Sequence, residues 1–178
     1  MATRIVKVTR LPRDKDAQVG ITVRQMVALA VSEAWSPEVR WLAFHARLPG
    51  VGMGEIPAMF ARFIRRRVAF EFDPEDIELI RLPSSFARCI RAGVPVSGDC
   101  DDMALLLSAM LGSQGFATEF VVMATSPHKP EFRHIFTRVY LGNNRWKALD
   151  PSVNQQYDTA GLRTRRYSIP WQKLPPSA

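Results

Sequence analysis

A cysteine flanked by aspartates is the first feature of the sequence that could do chemistry. In the segment GDCDD, Asp99 suits the N-cap of a helix and Cys100 suits its first position. The N-terminus of a helix favours an anion, so it lowers the pKa of a thiol and raises the fraction of nucleophilic thiolate. Asp101 and Asp102 oppose this effect, because like charges disfavour a thiolate beside them. A reactive Cys100 therefore needs a cationic partner.

A histidine and an aspartate in the second half of the chain can supply the missing partners. His134 lies in FRHIF, a predicted strand where a core residue would be apolar, and an imidazole can form an ion pair with a thiolate. Asp150 ends the next predicted strand, RWKALD, where its carboxylate can orient His134. Cysteine on a helix start, with histidine and aspartate on two strands, matches the nucleophile, base and orienting acid of acyl-transfer enzymes.

Three segments taken together resemble the transglutaminase-like superfamily. They are GDCDDMALLLSAMLGSQGF, RHIFTRVY and RWKALDPS, and the resemblance covers roughly residues 78–152. ELIRLPSSF, just before the first motif, is similar to the same segment in phage-encoded members. The resemblance implies a papain-like α+β fold in which N-terminal helices and a nucleophile helix pack on an antiparallel sheet. It also implies Cys100 as nucleophile, His134 as general base and Asp150 as orienting acid, with no metal and no organic cofactor.

The reaction predicted for these residues is acyl transfer from an amide. The Cys100 thiolate attacks a peptide or glutamine carbonyl, His134 delivers a proton to the leaving amine, and a thioester remains. Water then completes hydrolysis or deamidation, whereas an amine completes cross-linking, and the sequence leaves both open. The backbone N–H of Cys100 is a natural oxyanion donor. The alternative is a non-enzymatic component of a multi-protein assembly, such as a phage head, neck or tail.

Apolar periodicity predicts three helices before the cysteine motif. Thr22 is expected to cap the first, Ser36 to cap the second, and EIPAMFARFIRRRVAFEF to form a third that ends near Phe72. Residues 73–98 contain three prolines and are expected to hold at most short elements. β-rich runs follow the cysteine helix. Helices first and antiparallel strands afterwards predict an α+β layer architecture.

Strand parity sets a condition on the loop between the last two predicted strands. Residues directly opposite each other in an antiparallel pair point to the same face, and a shift of one residue reverses this. A two-residue turn at Asn143–Asn144 would turn Asp150 away from His134. We therefore predict an odd-length loop, such as Leu141–Asn143, or a β-bulge between Tyr140 and Trp146, with Asp150 directly opposite His134. The Asp150 carboxylate is then expected to be hydrogen-bonded to the His134 ring, with the other ring nitrogen facing Cys100.

Length and composition favour a single soluble domain over residues 1–178. A chain of 178 residues with 47% hydrophobic content can bury a core without disulfides or metals. Two cysteines do not make a disulfide framework, and three scattered histidines give no zinc-ligand spacing. The apolar stretches are too short to span a bilayer. We expect a cytoplasmic location, or incorporation in a virus particle.

The net charge of +7 is concentrated in two basic clusters, RFIRRR at 62–67 and RTRRY at 163–167. No nucleic-acid-binding motif surrounds them, so solvated faces or protein contacts are expected rather than nucleic acid. The expected partners are a protein or peptide amide substrate and other phage structural proteins, and no membrane. Residues 153–178 are expected to form a C-terminal extension that contributes contacts more than core.

The remaining candidate residues are expected to be structural. Cys89 has no activating neighbours in the sequence, His45 suits a helix, and His128 suits a loop. Asp101 and Asp102 are expected to cap and charge the cysteine helix. Tuning of the thiol, or the retention of a neighbouring loop, is the alternative role for these two carboxylates.

Overall fold

The computed structural model describes residues 5–7, 14–74, 79–153 and 159–170, which contain five α-helices and eight strands. The helices are α1 (Lys15–Glu33), α2 (Pro37–Ala46), α3 (Ile56–Arg67), α4 (Pro83–Arg91) and α5 (Cys100–Gly112). The strands are β1 (Ile5–Lys7), β2 (Val68–Phe70), β3 (Leu79–Arg81), β4 (Val96–Gly98), β5 (Thr118–Ser126), β6 (Lys129–Tyr140), β7 (Trp146–Leu149) and β8 (Thr164–Ser168). None of these helices combines the length and the apolar character needed to cross a membrane.

Helix α5 is the centre of the molecule. Every residue that follows Cys100 in this helix is buried, which is the pattern of a helix surrounded by other elements. It contacts all four other helices and strands β5 and β6. The N-cap predicted at Asp99 is present, because its carboxylate accepts hydrogen bonds from the amides of Asp101 and Asp102 at 3.2 and 3.4 Å. The start of this helix was therefore predicted correctly.

Strands β5 to β8 form a four-stranded antiparallel sheet in the order β7-β6-β5-β8. The three β-rich runs predicted after the cysteine helix correspond to β5, β6 and β7. Two further two-stranded sheets pair β1 with β3 and β2 with β4. A mixture of helices with an antiparallel sheet confirms the predicted α+β class.

Helix α1 begins earlier than the sequence analysis predicts. Its N-cap is Asp14, whose carboxylate accepts a hydrogen bond from the amide of Asp16 at 3.0 Å. Thr22 is buried inside the helix, so the prediction that it caps α1 is wrong. The predicted start of α2 is confirmed, since the Ser36 hydroxyl accepts from the amide of Val39 at 3.2 Å.

Helix α3 ends at Arg67 rather than near Phe72. The next residues, Val68–Phe70, form β2, which pairs in parallel with β4. The pairing continues one residue further, where the amide of Glu71 donates to the carbonyl of Gly98 at 3.1 Å. Tertiary pairing with a strand that lies later in the sequence thus overrides the helical periodicity at this point. The described residues between 73 and 98 hold only short elements, as predicted, and the longest of these is the nine-residue α4.

The C-terminal segment contributes to the sheet. Strand β8 pairs with β5 along five residues, and Ile169, which follows it, is buried. Four of the five residues of β8 are exposed, so the described part of residues 153–178 contributes mainly strand pairing, and Ile169 is its buried residue. A basic run can serve as an edge strand because its outward side chains reach solvent. Residues 154–158 and 171–178 lie outside the described residues.

Two apolar cores lie on different sides of α5. The first, which we call the helical core, joins α2, α3 and α4 to α5, and its large members include Leu42, Phe60, Ile64, Phe86 and Leu107. The second, which we call the sheet core, joins α1 and the sheet to α5, and its large members include Met26, Ile80, Leu105, Phe120 and Ile135.

Candidate active site

Cys100 is the first residue of α5 and is partly exposed. Its side chain lines a cavity of about 190 Å³ and packs against the sheet core. The first-turn amides of a helix carry partial positive charge, so this position favours a thiolate. The structure thus places the thiol where the sequence analysis predicts it, at the point where a helix terminus meets an accessible space.

Asp102, two residues further along α5, is fully buried and faces strand β3. Its carboxylate accepts from the backbone amide of Arg81 at 2.7 Å and also forms an ion pair with the Arg81 guanidinium. Asp73 adds a second carboxylate to that guanidinium at 3.4 Å. Burial raises the pKa of Asp102 to about 7, although the contacts with Arg81 act in the opposite direction. Asp102 therefore holds the segment around Arg81 in place. This matches the alternative role given above, the retention of a neighbouring loop.

Gly98 allows β4 to pass close to the Asp102 side chain of α5. A Cβ at residue 98 would lie 2.8 Å from Oδ2 of Asp102 and 2.9 Å from Cζ of Phe86. Both neighbours are buried, so neither side chain has room to move away. The glycine of the GDC motif thus serves the close approach of β4 to α5.

His134 and Asp150 are joined by a hydrogen bond. The distance from His134 Nε2 to Asp150 Oδ2 is 2.5 Å, and both side chains are more than nine-tenths buried. Because a carboxylate only accepts, the ring donates through Nε2–H, and Nδ1 of the neutral ring is left to accept a proton. The hydrogen bond that the sequence analysis predicts between these two side chains is present.

The β6–β7 loop has an odd number of residues, as predicted. The amide of Leu141 donates to the carbonyl of Arg145 at 2.9 Å, which leaves the three residues Gly142–Asn144 as the loop. These three residues have φ values of 83°, 52° and 55°, a left-handed conformation that glycine and asparagine tolerate best. The predicted loop Leu141–Asn143 is one residue too early, but its parity is correct.

The register that results differs in one respect from the prediction. Thr137 pairs with Leu149, so the same register extended by one residue places Asp150 beside Phe136. Asp150 is therefore diagonal to His134 on the same face, and the expectation that it lies directly opposite is wrong. Diagonal neighbours on one face remain within reach of long side chains.

The cavity brings Cys100 and His134 to one space. Helix α1 supplies an apolar wall through Val19, Val23 and Met26, which lie three and four residues apart on one face. The sheet supplies Phe132 and Ile135 on either side of His134. Asp150 is joined to the cavity through its hydrogen bond to the ring of His134, which lines the cavity. Cys100 and His134 thus line the same cavity, and Asp150 is hydrogen-bonded to His134.

Arg163, which directly precedes β8, and Arg165 within β8 support one wall of the cavity. The guanidinium of Arg163 lies 4.4 Å from the ring centre of Phe132, and that of Arg165 lies 5.4 Å from it. Arg163 also donates to Asp16 at 2.5 Å, at the start of α1. These contacts join the last described strand to the first helix across the ring of Phe132.

The other cysteine and the other histidines lie away from the cavity. Cys89 is 4% exposed and belongs to the helical core, in agreement with a structural role. The Nδ1–H of His45 donates to the carbonyl of Trp41 within its own helix, at 2.8 Å, and His45 is exposed. His128 lies exposed in the β5–β6 turn. The cavity therefore has His134 as its histidine.

Three carboxylates near Cys100 are close enough together to be considered as metal ligands. One oxygen of each of Asp99, Asp101 and Asp102 lies within 4.8 Å of the others. The Asp99 carboxylate already accepts hydrogen bonds from the amides that it caps, and the Asp102 carboxylate already forms an ion pair with Arg81. The cluster is explained by the helix start and this ion pair.

Sequence reasoning did not identify three contributors to the site. Ser152 donates hydrogen bonds to the carboxylate of Asp150. The pattern Asp-Pro-Ser is a recognisable turn signal from which this contact could have been predicted. Arg81 binds Asp102 from 21 positions away, and Arg163 reaches Phe132 from a segment interpreted as an extension. No local pattern signals these two long-range contacts.

Comparisons with known proteins bear on the fold. No family model matches the chain, and no curated protein gives a significant match. The structure is similar to the crystal structure of a protein from Parabacteroides distasonis ATCC 8503 described as a "putative protease", with a TM-score of 0.53 and 13% sequence identity. The similarity covers 83% of this chain and 29% of that protein. At this level of identity the similarity supports a shared fold alone.

Proposed function

We propose that this protein is a cysteine-dependent acyl-transfer enzyme that acts on amide bonds, on a transglutaminase-like fold. The observation that carries the proposal is the 2.5 Å hydrogen bond from His134 to Asp150, with the same His134 and Cys100 lining one cavity. Nucleophile, base and orienting acid come from the start of a helix and from two neighbouring strands. The distant similarity in fold to a protein described as a protease is consistent with this proposal.

In the first step His134 activates the thiol. Its Nε2–H is committed to the Asp150 carboxylate, so Nδ1 accepts the proton of the Cys100 thiol. Asp150 stabilises the imidazolium that forms, and the N-terminus of α5 stabilises the thiolate. The product of this step is a thiolate–imidazolium ion pair at the cavity wall.

In the second step the thiolate attacks the carbonyl carbon of the amide. A C–S bond forms, the carbonyl oxygen becomes an oxyanion, and the backbone N–H of Cys100 is its first hydrogen-bond donor. The C–N bond then breaks, and the imidazolium returns its proton to the leaving amine. The resulting thioester is cleaved by water, which yields the acid, or by a primary amine, which yields a new amide. In both cases the thiol is restored.

The lining of the cavity combines an aliphatic wall with charged residues, among them Asp99, Asp101 and Arg133. Val19, Val23 and Met26 offer an aliphatic wall, and about 190 Å³ accommodates a side chain of moderate size. An aliphatic residue next to the cleaved amide can therefore pack against this wall.

Alkylation of the two cysteines tests the proposal without knowledge of the substrate. Iodoacetamide rates between about pH 5 and pH 9 are measured by peptide mass mapping, which separates Cys100 from Cys89. We expect Cys100 to react at lower pH than a free thiol, and His134→Ala to remove this advantage. His128→Ala is the matched control, because His128 is exposed and outside the cavity. A Cys100 that alkylates like a free thiol in the wild-type protein would overturn the proposal.

The outcome of the second half of the reaction is tested separately. The protein is incubated with a library of glutamine-containing peptides in ¹⁸O-labelled water, with and without a primary amine. Incorporation of ¹⁸O marks hydrolysis, and addition of the amine marks cross-linking. Neither product should form with Cys100→Ser.

The second candidate function, a non-enzymatic role in an assembly, depends on a different surface of the protein. Phe70 and Phe72 are 44% and 80% exposed, and their rings are in edge-to-face contact at 4.9 Å. Exposed apolar groups of this kind mark contact surfaces on many proteins. If the protein serves only as a structural component, Phe72→Ser should abolish its assembly, whereas Cys100→Ser should not.

A further inference from the structure

Both oxygens of the Asp150 carboxylate are held in place. Oδ2 accepts from Nε2 of His134 at 2.5 Å. Oδ1 accepts twice from Ser152, from the backbone amide at 2.9 Å and from the hydroxyl at 2.6 Å. The oxygen that does not face the histidine thus has two donors from one residue.

These two donors fix the rotation of the carboxylate. The terminal torsion of an aspartate is broad, so a carboxylate held at one oxygen can turn about its own axis. Two donors on Oδ1 prevent this rotation and keep Oδ2 directed at His134. Hydrogen bonds to an ionised acceptor are also stronger than those between neutral groups.

The turn that carries Ser152 is itself fixed to the helices. Pro151, between Asp150 and Ser152, is buried. The guanidinium of Arg65, on α3, donates to the carbonyl of Val153 at 3.3 Å. The Ser152 hydroxyl is therefore held relative to both the sheet and α3.

We infer that Ser152 is a positioning residue, which orients the Asp150 carboxylate so that His134 keeps its proton on Nε2 and presents Nδ1 as the base. The inference rests on the function proposed above for Cys100 and His134. Ser152 does not touch the substrate or the thiol in this scheme. Its effect reaches the reaction through the tautomer of the His134 ring.

The hydroxyl is tested by variants that remove it or keep it. Ser152→Ala removes it and Ser152→Thr retains it, whereas Ser152→Val has the shape of threonine without the hydroxyl. Ser32→Ala is the control, because its hydroxyl bonds a carbonyl of its own helix and is exposed. The Thr/Val pair preserves the test if the alanine variant does not fold.

Two readouts separate positioning from a merely structural role. The first is ¹⁵N NMR of the His134 ring, assigned with His134→Gln, which reports the fraction of the ring that carries its proton on Nε2. The second is the pH profile of Cys100 alkylation. We expect Ser152→Ala and Ser152→Val to lower the Nε2–H fraction and to slow alkylation near neutral pH about fivefold, the effect of one hydrogen bond. Ser152→Thr should restore both.

The possible results are distinguishable. If the alanine and valine variants keep the wild-type tautomer and pH profile, the Ser152 hydroxyl only caps the end of a strand and the inference is wrong. If wild-type Cys100 alkylates like a free thiol while the His134 tautomer still depends on Ser152, the proposed function fails and the positioning of the ring stands.

Discussion

The two apolar cores on either side of α5 differ in what they contribute. The helical core encloses Cys89 and consists mainly of apolar side chains from the helices, with Val139 and Leu149 from the sheet. The sheet core borders Cys100 and faces the cavity that His134 also lines. One helix therefore has a closed side and a side that meets an accessible space. The helical core thus anchors α5, whereas Cys100, at the start of the same helix, lies on the side that borders the cavity.

The largest difference in reactivity is expected when the cysteine at each of the two cores is replaced by serine. Cys100→Ser is expected to abolish fast alkylation and any acyl transfer, because it removes the nucleophile. Cys89→Ser should leave both unchanged per folded molecule, since Cys89 is enclosed in the helical core. Peptide mass mapping after a short iodoacetamide pulse measures the labelling. Comparable labelling of both cysteines in the folded wild-type protein would remove the distinction between the two cores.

The helical core should affect stability without affecting chemistry. Phe60 is fully buried there, and Phe60→Ala should lower the free energy of unfolding by about 3–5 kcal/mol through lost burial and a cavity. Urea denaturation followed by circular dichroism measures this loss. Under conditions where the variant is folded, its Cys100 alkylation rate should match the wild type. A large fall in that rate would show that the two cores are coupled.

Asp102 contacts Arg81 where α5 meets β3, and the burial of its carboxyl group should make stability depend on pH. The pKa of Asp102 is raised from 3.8 to about 7 in the folded protein. Between these values the unfolded chain has lost the proton and the folded chain retains it, so Asp102 makes the protein less stable as pH rises. Above about pH 7 this contribution is constant.

Asp102→Asn measures that contribution, because asparagine does not titrate. The unfolding free energy of the variant relative to the wild type should increase as pH rises from about 4 to about 7. Urea titrations at several pH values give the comparison. A variant that loses stability relative to the wild type over this range would show that the carboxylate is ionised beside Arg81 and has a lowered pKa.

The smallest effect is expected at the outer wall of the sheet core. Arg163→Ala removes the cation–π contact with Phe132 and the pair with Asp16, a loss of about 1 kcal/mol for exposed groups. Alkylation of Cys100 should change less than about threefold, the range that about 0.7 kcal/mol represents. Arg62→Ala, at an exposed position on α3, is the matched control. Equal effects of the two variants would show that Arg163 does not support the wall of the cavity.

The sequence predicted the parts of the fold that depend on local chemistry. The N-caps at Ser36 and Asp99 were identified because capping involves residues two or three positions apart. The parity of the β6–β7 loop followed from the requirement that Asp150 and His134 share a face. The geometry of the candidate site was therefore accessible wherever neighbouring strands and a helix start determine it.

The remaining features depend on partners that are distant in the sequence. Val68–Phe70 continue the apolar pattern of α3 but become a strand because β4 is available to pair with them. The basic run in β8 resembles a solvated segment until β5 is known to lie beside it. The start of α1 was misplaced because a charged first turn hides the cap at Asp14. Local patterns alone do not contain this information.

The contact between Asp16 and Arg163 has a consequence for the order of folding. It joins residues 147 positions apart, whereas β5, β6 and β7 are connected by short turns. Contacts between distant residues form late, because a long loop must close before they gain energy. During synthesis the hairpins can form while β8 is still within the ribosome. The wall around Phe132 is then completed only after Arg163 has emerged, so the surroundings of the Cys100 thiol mature later than the hairpins.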